Sequence, residues 1–211
     1  CTRKGERAEE WTAAAFRRAE ALIFVGAAGI AVRSVAPHLV SKARDPAVVV
    51  VDELGRFAVP ILSGHLGGAN DLAREIAGLL GGQAVLTTAT DARGIFAFDQ
   101  WARRLGCAIP DPEKIRPVAS RMLAGGTAAF WSQWPVAGEC PSGVVPAGQE
   151  AAQVQLTIRD TPEPALKLVP RIVWAGIGCR RGVPAERLEA ALRSGLEAAG
   201  LHPAALAGVC T

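Results

Sequence analysis

Short apolar runs alternate with stretches of helical periodicity along this chain, and that alternation is typical of an α/β fold. Ala21–Val25 is one such run, and it leads directly into the glycine-rich segment Gly26–Gly29. Ala47–Val51 and Phe57–Leu62 flank the polar turn Asp52–Arg56, which predicts a hairpin. We therefore expect an open, largely parallel sheet in the first part of the chain.

Two helices are predicted from their apolar stripes. The first runs from Ala69 and ends at Gly81, because glycine readily adopts the left-handed conformation that closes a helix. A strand at Ala84–Leu86 and a polar loop, Thr87–Gly94, follow it. The second stripe consists of Phe98, Trp101, Ala102 and Leu105.

Changes in pattern divide the chain into three parts. Residues 1–98 form the predicted N-terminal α/β domain, residues 99–168 a smaller α/β central region, and residues 169–211 the start of a third α/β domain. In the central region, Val154, Leu156 and Ile158 alternate with polar residues, which predicts a half-exposed strand. The third part contains one predicted strand, 171–175, and one predicted helix, 184–199. Because the chain starts at Cys1 rather than at methionine, we expect truncation at both ends.

Composition excludes several classes of protein. The net charge of +3 is spread along the chain without a Lys/Arg block, which argues against a nucleic-acid partner. No apolar run approaches the roughly 18 residues of a membrane span, and no signal peptide precedes the first strand. The five cysteines are odd in number and never spaced as Cys-x-x-Cys, which predicts reduced thiols in the cytoplasm.

Three loops are the candidate binding elements: Gly26–Arg33, Ser63–Asp71 and Thr87–Gly94. Each follows a predicted strand, so in a parallel sheet all three would meet at one edge, where open α/β folds bind ligands. Glycine-rich helix starts and arginines favour an acidic small molecule. The predicted substrate-binding residues are Gly26, Gly29, Arg33, Ser63, Gly64, Gly67, Gly68, Asn70, Thr87, Thr88 and Arg93.

His65 is the candidate catalytic residue, because it is the side chain in these loops that titrates near neutrality. Asp71 and Asp91 are the other predicted catalytic residues. Two of the three also have a structural interpretation: His65 as a backbone-bonded turn residue, and Asp91 as a cap. No Gly-x-Ser-x-Gly elbow or Walker motif is present, and the histidines lack metal-ligand spacing.

The run Ser63-Gly-His-Leu-Gly-Gly-Ala-Asn70, preceded by Phe24–Arg33 and followed by Thr87–Asp91, resembles the N-terminal region of cobalt-precorrin-5A hydrolases. Residues 112–158 look like the variable central region of that family. Val173–Gly182 is similar to the start of its C-terminal domain. The resemblance thus covers nearly the whole chain in the family's domain order.

This resemblance implies a function in anaerobic cobalamin biosynthesis: hydrolysis of the δ-lactone of cobalt-precorrin-5A, with release of acetaldehyde to give cobalt-precorrin-5B. It implies that the substrate itself carries the cobalt and that the protein needs no cofactor. His65 is then either the base or an axial ligand of the substrate's cobalt, with the Gly67 and Gly68 N–H groups near the oxyanion. The expected protein partners are a second copy of the chain or neighbouring enzymes of the pathway. Two alternatives stay open: a non-catalytic corrinoid or tetrapyrrole carrier, and a domain binding a sugar phosphate or nucleotide through Gly26–Gly29.

Overall fold

A four-stranded sheet organises the first part of the chain in the computed structural model, which describes residues 7–41, 44–162 and 164–211. Its strands are β1 (Ala21–Val25), β2 (Ala47–Val51), β3 (Phe57–Leu62) and β4 (Gln83–Ala84), in the order β1-β2-β3-β4. All five residues of β2 are buried, because helices cover both faces of the sheet. The α/β class is therefore confirmed.

Four helices belong to this sheet: α1 (Ala8–Ala15), α2 (Ala28–Val35), α3 (Ala69–Leu80) and α4 (Ala89–Ala92). The alanines of α3 pack on one face of the sheet, and α1 and α2 cover the other. Helix α3 ends at Gly81, whose φ of 67° is the left-handed closure expected from the sequence. These elements form one compact unit, Cys1–Gly94.

The direction of the strands shows that the predicted meeting of three loops at one edge is wrong. Strand β1 runs parallel to β2 and β3 runs parallel to β4, but β2 and β3 are antiparallel. Gly26 therefore follows β1 at the Val51 end of β2, where its N–H donates to the Val51 carbonyl. Ser63 leaves β3 at the opposite end, beyond the Val48–Leu62 pair. The length of β2 separates the two ends, about 16 Å at roughly 3.3 Å per residue.

A five-stranded sheet organises the second compact unit, Ile95–Thr211. It consists of β5 (Cys107–Ala108), β6 (Ala128–Ser132), β7 (Val144–Pro146), β8 (Val154–Leu156) and β9 (Leu166–Pro170), in the order β5-β9-β8-β6-β7. Every pairing is parallel except that of β5 with β9. Helices α5 (Phe98–Arg104) and α6 (Ile115–Leu123) contribute apolar side chains to its core.

Strand β8 forms where a strand was predicted, but the prediction that it is half exposed is wrong. It lies inside the sheet between β6 and β9, and its three residues are all buried. The alternating polar residues are buried too: Gln155 Nε2 donates to the Gln149 carbonyl at 2.8 Å, and Thr157 Oγ1 donates to Gln133 Oε1 at 2.8 Å. Buried polar groups are tolerated when they are hydrogen-bonded. The alternation of apolar and polar residues in this strand therefore did not mean that the polar residues are exposed to solvent.

The last part of the chain is a β-α-β unit: β10 (Val173–Gly176), α7 (Ala185–Ala198) and β11 (Leu206–Cys210). The sequence interpretation missed β11, which pairs in parallel with β10. This unit contacts the central region through the segment after β8. The Arg159 guanidinium donates to the Ala199 carbonyl at 3.1 Å, and the His202 N–H donates to the Ile158 carbonyl at 2.8 Å.

Two further observations bear on the sequence predictions. Cys107, Cys140, Cys179 and Cys210 form no disulfide among the described residues, and Cys1 lies outside them. No helix in the described ranges combines the length and apolarity that crossing a bilayer requires. The three predicted domains, 1–98, 99–168 and 169–211, stay predictions.

Candidate functional site

The Ser63–Asn70 loop joins the end of β3 to the start of α3, and its geometry depends on its glycines. Ser63 has a positive φ of 54°, and its hydroxyl donates to the Asp45 carbonyl at 2.9 Å. A Cβ at Gly67 would lie 2.4 Å from Ser63 Cβ, and one at Gly64 would lie 2.8 Å from Asn70 Oδ1. The backbone thus passes so close to its neighbours here that Gly64 and Gly67 leave no room for a Cβ, which is a structural reason for glycine at both positions.

The first N–H groups of α3 are largely occupied by the loop. The Ala69 N–H donates to the Ser63 carbonyl at 3.1 Å, and the Asn70 N–H donates to the Gly64 carbonyl at 2.9 Å. The Gly68 N–H donates to the His65 carbonyl at 3.0 Å, so it is not available to an oxyanion. Of the predicted pair, Gly67 is the one whose N–H donates to no group in the described part of the chain.

Asp91 lies at the centre of the site, in the short helix α4 that follows β4. Its Oδ2 lies 2.7 Å from His65 Nε2 and accepts a hydrogen bond from Asn70 Nδ2 at 2.8 Å. The Thr88 hydroxyl also donates to Oδ2, and the Arg74 guanidinium donates to Oδ1. This carboxylate therefore has four donors from four side chains, and we call these five residues the Asp91 cluster.

The pKa of Asp91 reflects these contacts. Burial raises it, but the hydrogen bonds from Thr88, His65 and Arg74 outweigh burial and lower the pKa from 3.8 to about 2. Asp91 is thus ionised at neutral pH and acts only as an acceptor. With its lone pairs occupied by four donors, this carboxylate positions other groups rather than removing a proton from substrate.

His65 is held against Asp91 by this network. Its side chain is 14% exposed and that of Asp91 is 10% exposed. The buried Thr90 lies nearby, with its hydroxyl 3.3 Å from His65 Nε2. Because an ionised carboxylate can only accept, Nε2 must carry the hydrogen, and the lone pair of the neutral ring is then on Nδ1. The arrangement matches a histidine base oriented by a carboxylate.

Support for Asp91 comes from both loops. Asn70 is fully buried, and its Nδ2 donates to the Thr88 hydroxyl at 3.0 Å as well as to Asp91. Asp71 contacts the cluster through Arg74, whose Nη1 donates to Asp71 Oδ1 at 3.0 Å. Arg74 thus joins two carboxylates, one from the Ser63–Asp71 loop and one from the Thr87–Gly94 loop.

The structure brings together some of the predicted residues and separates others. His65, Asp91, Asn70 and Thr88 are in direct contact, and Asp71 joins them through Arg74. Thr87 and Arg93 are exposed at the two ends of α4. Gly26, Gly29 and Arg33 lie at the opposite end of the sheet, so they do not share one edge with the other predicted residues, and their substrate-binding role stays a prediction.

Arg74 and Thr90 were missed by the sequence interpretation. Arg74 lies three residues after Asp71 on α3, a spacing that places both side chains on one face of a helix. That spacing is a readable signal, but only the fold brings Asp91 to the same place. No group of three or more His, Cys, Asp or Glu side chains is arranged as a metal site within the described ranges. The prediction that the protein needs no cofactor stays a prediction.

Known proteins similar to this chain agree on one family. Residues 10–91 match the family model described as Cobalamin synthesis G N-terminal, and residues 173–211 match the one described as Cobalamin synthesis G C-terminus. A cobalt-precorrin-5A hydrolase from Salmonella typhimurium is 40% identical over 92% of this chain and 60% of its own length. One from Priestia megaterium is 29% identical over 93% of this chain and 58% of its own.

A solved structure of a cobalamin biosynthesis protein G homologue from Sulfolobus solfataricus is also similar, with 25% identity, 96% of this chain and 61% of that chain covered, and a TM-score of 0.49. This chain spans about three fifths of the length of the curated relatives named above. The two family models match at both ends of the chain, in the order that the sequence predicted. The chain therefore belongs to the cobalamin synthesis G family.

Proposed function

We propose that this chain acts in cobalamin biosynthesis by hydrolysing the δ-lactone of cobalt-precorrin-5A, which releases acetaldehyde and gives cobalt-precorrin-5B. The observation that carries the proposal is the 2.7 Å contact between His65 Nε2 and an Asp91 carboxylate whose pKa is about 2. The similar protein from Salmonella typhimurium is a cobalt-precorrin-5A hydrolase, which supports the choice of substrate. The cobalt belongs to that substrate.

His65 is the proposed general base. The ionised Asp91 accepts the Nε2 hydrogen, so proton uptake takes place at Nδ1 and the imidazolium is stabilised by the carboxylate. His65 removes a proton from water as the water oxygen attacks the lactone carbonyl carbon. The carbon–oxygen bond of the lactone then breaks, and the imidazolium returns the proton to the departing alkoxide.

The tetrahedral oxyanion needs a donor, and the Gly67 N–H is our candidate. Its neighbour Gly68 donates to the His65 carbonyl at 3.0 Å, whereas Gly67 makes no such bond with the described residues. Pre-positioned backbone donors of this kind are worth roughly 100- to 1,000-fold in rate. The second stage breaks a carbon–carbon bond: the freed hydroxyl gives its proton to His65, acetaldehyde leaves, and the electron pair of the broken bond passes to the substrate macrocycle.

The test is acetaldehyde release from cobalt-precorrin-5A, followed with an NADH-coupled alcohol dehydrogenase. H65A should lower turnover by about 100- to 10,000-fold, the typical value of general-base assistance. The matched control is H38A, because His38 lies in the same unit with its ring 5.8 Å from that of Phe16, outside the three loops. H65A turning over within a few-fold of wild type would exclude His65 as the base.

The same experiment separates the alternatives. A wild-type chain that binds cobalt-precorrin-5A in an absorbance titration but releases no acetaldehyde is a carrier, and the hydrolase proposal fails for it. If His65 ligates the substrate's cobalt through Nδ1, H65A abolishes a shift in the cobalt absorption bands. We further propose a cytoplasmic location, no cofactor of the protein's own, and association with a second copy or with neighbouring pathway enzymes.

A further inference from the structure

The unit Ile95–Thr211 contains a cavity of about 370 Å³ that takes no part in the site described above. Helix α5, strand β6 and the segment that connects β6 to β7 form its walls. Its volume lies within the roughly 300–1,000 Å³ of sites that hold small molecules. Six aromatic side chains line it: Phe96, Phe98, Trp101, Phe130, Trp131 and Trp134.

Contacts between aromatic rings hold part of the cavity lining in place. Phe130 lies 5.7 Å from Trp101 in an edge arrangement and 5.9 Å from Phe98. Phe96 in turn contacts Phe98 edge-on at 5.0 Å. Such pairs are worth about 0.5–1.5 kcal/mol beyond burial, so each ring restrains its neighbours. The segment around Val136, which is 46% exposed, also lines the cavity.

The cavity has the position of a ligand site in its sheet. Ser132 and Pro146 both line it, and they are the last residues of the parallel strands β6 and β7. Ligands of open α/β sheets bind outside the carboxyl ends of such strands. The Ser132 hydroxyl accepts a hydrogen bond from the Trp134 N–H at 3.1 Å. This bond restrains the start of the segment that connects β6 to β7.

The charge of the lining decides which molecules fit. Among the described residues that line the cavity, Glu139 alone is charged, and none is a lysine or arginine. An anion would lose its hydration here without gaining a cationic partner. Aromatic faces favour flat apolar groups and tolerate a positive charge. A corrinoid rim with several carboxylate arms is therefore a poor occupant.

We propose that this cavity is a second small-molecule site, for a flat apolar ligand without negative charge. The proposal does not depend on the lactone chemistry. The test compares two probes with the same ring skeleton, uncharged phenylnaphthylamine and anionic anilinonaphthalene sulfonate. We expect one equivalent of the uncharged probe to bind at least tenfold more tightly, about 1.4 kcal/mol. No binding, or tighter binding of the anion, overturns the proposal.

Variants locate the probe. A147F narrows the cavity and should weaken the uncharged probe at least tenfold, whereas A190F, on the exposed surface of α7, should leave it unchanged. W174S tests the exposed face of β10, where Trp174 is 68% exposed. If W174S abolishes binding and A147F does not, the probe sits on that face and the proposal is wrong.

A charge reversal gives a second readout that does not depend on filling the cavity. E139K should lower the ratio of the affinity for the uncharged probe to that for the anionic probe several-fold, because the new lysine supplies the cation that the lining lacks. Circular dichroism of each variant shows whether it is folded. H65A should leave both affinities unchanged, so failure of the proposed hydrolase activity does not affect this test. A preference that E139K leaves unaltered would contradict the charge argument.

Discussion

The Asp91 cluster and the aromatic cavity are built in opposite ways. The cluster consists of short polar side chains whose positions are fixed by hydrogen bonds to one ionised carboxylate. The cavity consists of large rings that are fixed by packing, with a single carboxylate among them. A hydrogen-bonded cluster controls where a proton resides, whereas an apolar cavity selects ligands by shape and charge. Of these two regions, the cluster is therefore the one expected to carry out acid–base chemistry.

The largest expected effect separates these two regions directly. D91N removes the negative charge that holds the Nε2 hydrogen of His65, so acetaldehyde release should fall by about 100- to 10,000-fold. Binding of phenylnaphthylamine in the second unit should stay within twofold. Steady-state kinetics and a fluorescence titration measure the two quantities. Turnover of D91N within a few-fold of wild type would remove Asp91 from the mechanism.

The next effect concerns the stability of the Ser63–Asn70 loop. G67A would place a Cβ 2.4 Å from Ser63 Cβ and 2.8 Å from the Ser63 carbonyl oxygen. Overpacking of this kind costs about 1–3 kcal/mol, so the urea midpoint should fall. G29A is the matched control, because a Cβ at Gly29 meets nothing within 4 Å and α2 is helical there. Equal midpoints for G67A and wild type would show that the loop adjusts freely.

A smaller effect is expected at Arg74, which is 41% exposed. R74M removes a donor from Asp91 Oδ1 and from Asp71 Oδ1, and we expect a loss of about 1 kcal/mol in unfolding free energy. D71N alone should cost less, since it leaves the Asp91 contact in place. A double-mutant cycle of the two substitutions measures the coupling. A zero coupling energy would mean that the pair between Arg74 and Asp71 adds nothing.

The acid dependence of stability is expected to follow Asp91. Its folded pKa of about 2 lies below the ordinary 3.8, so its contribution is complete above about pH 4 and is lost as the pH falls toward 2. D91N lacks this dependence. Urea unfolding of both proteins at several pH values in that window measures the difference. Parallel curves would show that Asp91 is not the group responsible.

The smallest expected effect is at Arg33, and it tests the strand directions. Arg33 belongs to the loop and helix that follow β1, at the end of the sheet opposite the Asp91 cluster. R33A should change acetaldehyde release by less than twofold, whereas R93A removes a cation at the end of α4 and should raise the KM for cobalt-precorrin-5A, the proposed substrate. A large loss in R33A would mean that substrate reaches both ends of the sheet.

Much of the first unit was readable because its signals are local. The run Ala47–Val51 and the turn Asp52–Arg56 predicted β2 and the hairpin, and Gly81 predicted the end of α3. The predicted hairpin already contradicts the prediction that the three loops meet at one edge of the sheet. If β1 is parallel to β2, a hairpin must send Ser63 to the other end from Gly26. The expectation of three loops at one edge treated all strands as parallel.

The sequence by itself determined the family and the α/β class, since these depend on local runs and motifs. It also predicted His65, Asn70, Thr88 and Asp91 as site residues, and the structure brings these four side chains together. Only the tertiary structure decided that Arg74 and Thr90 join them, that β8 is buried, and that β11 pairs with β10. Hydrogen bonds such as that from Arg74 to Asp91 span 17 positions of the chain. Burial and the pairing of strands that are distant in sequence depend on partners far along the chain, and no local pattern encodes them.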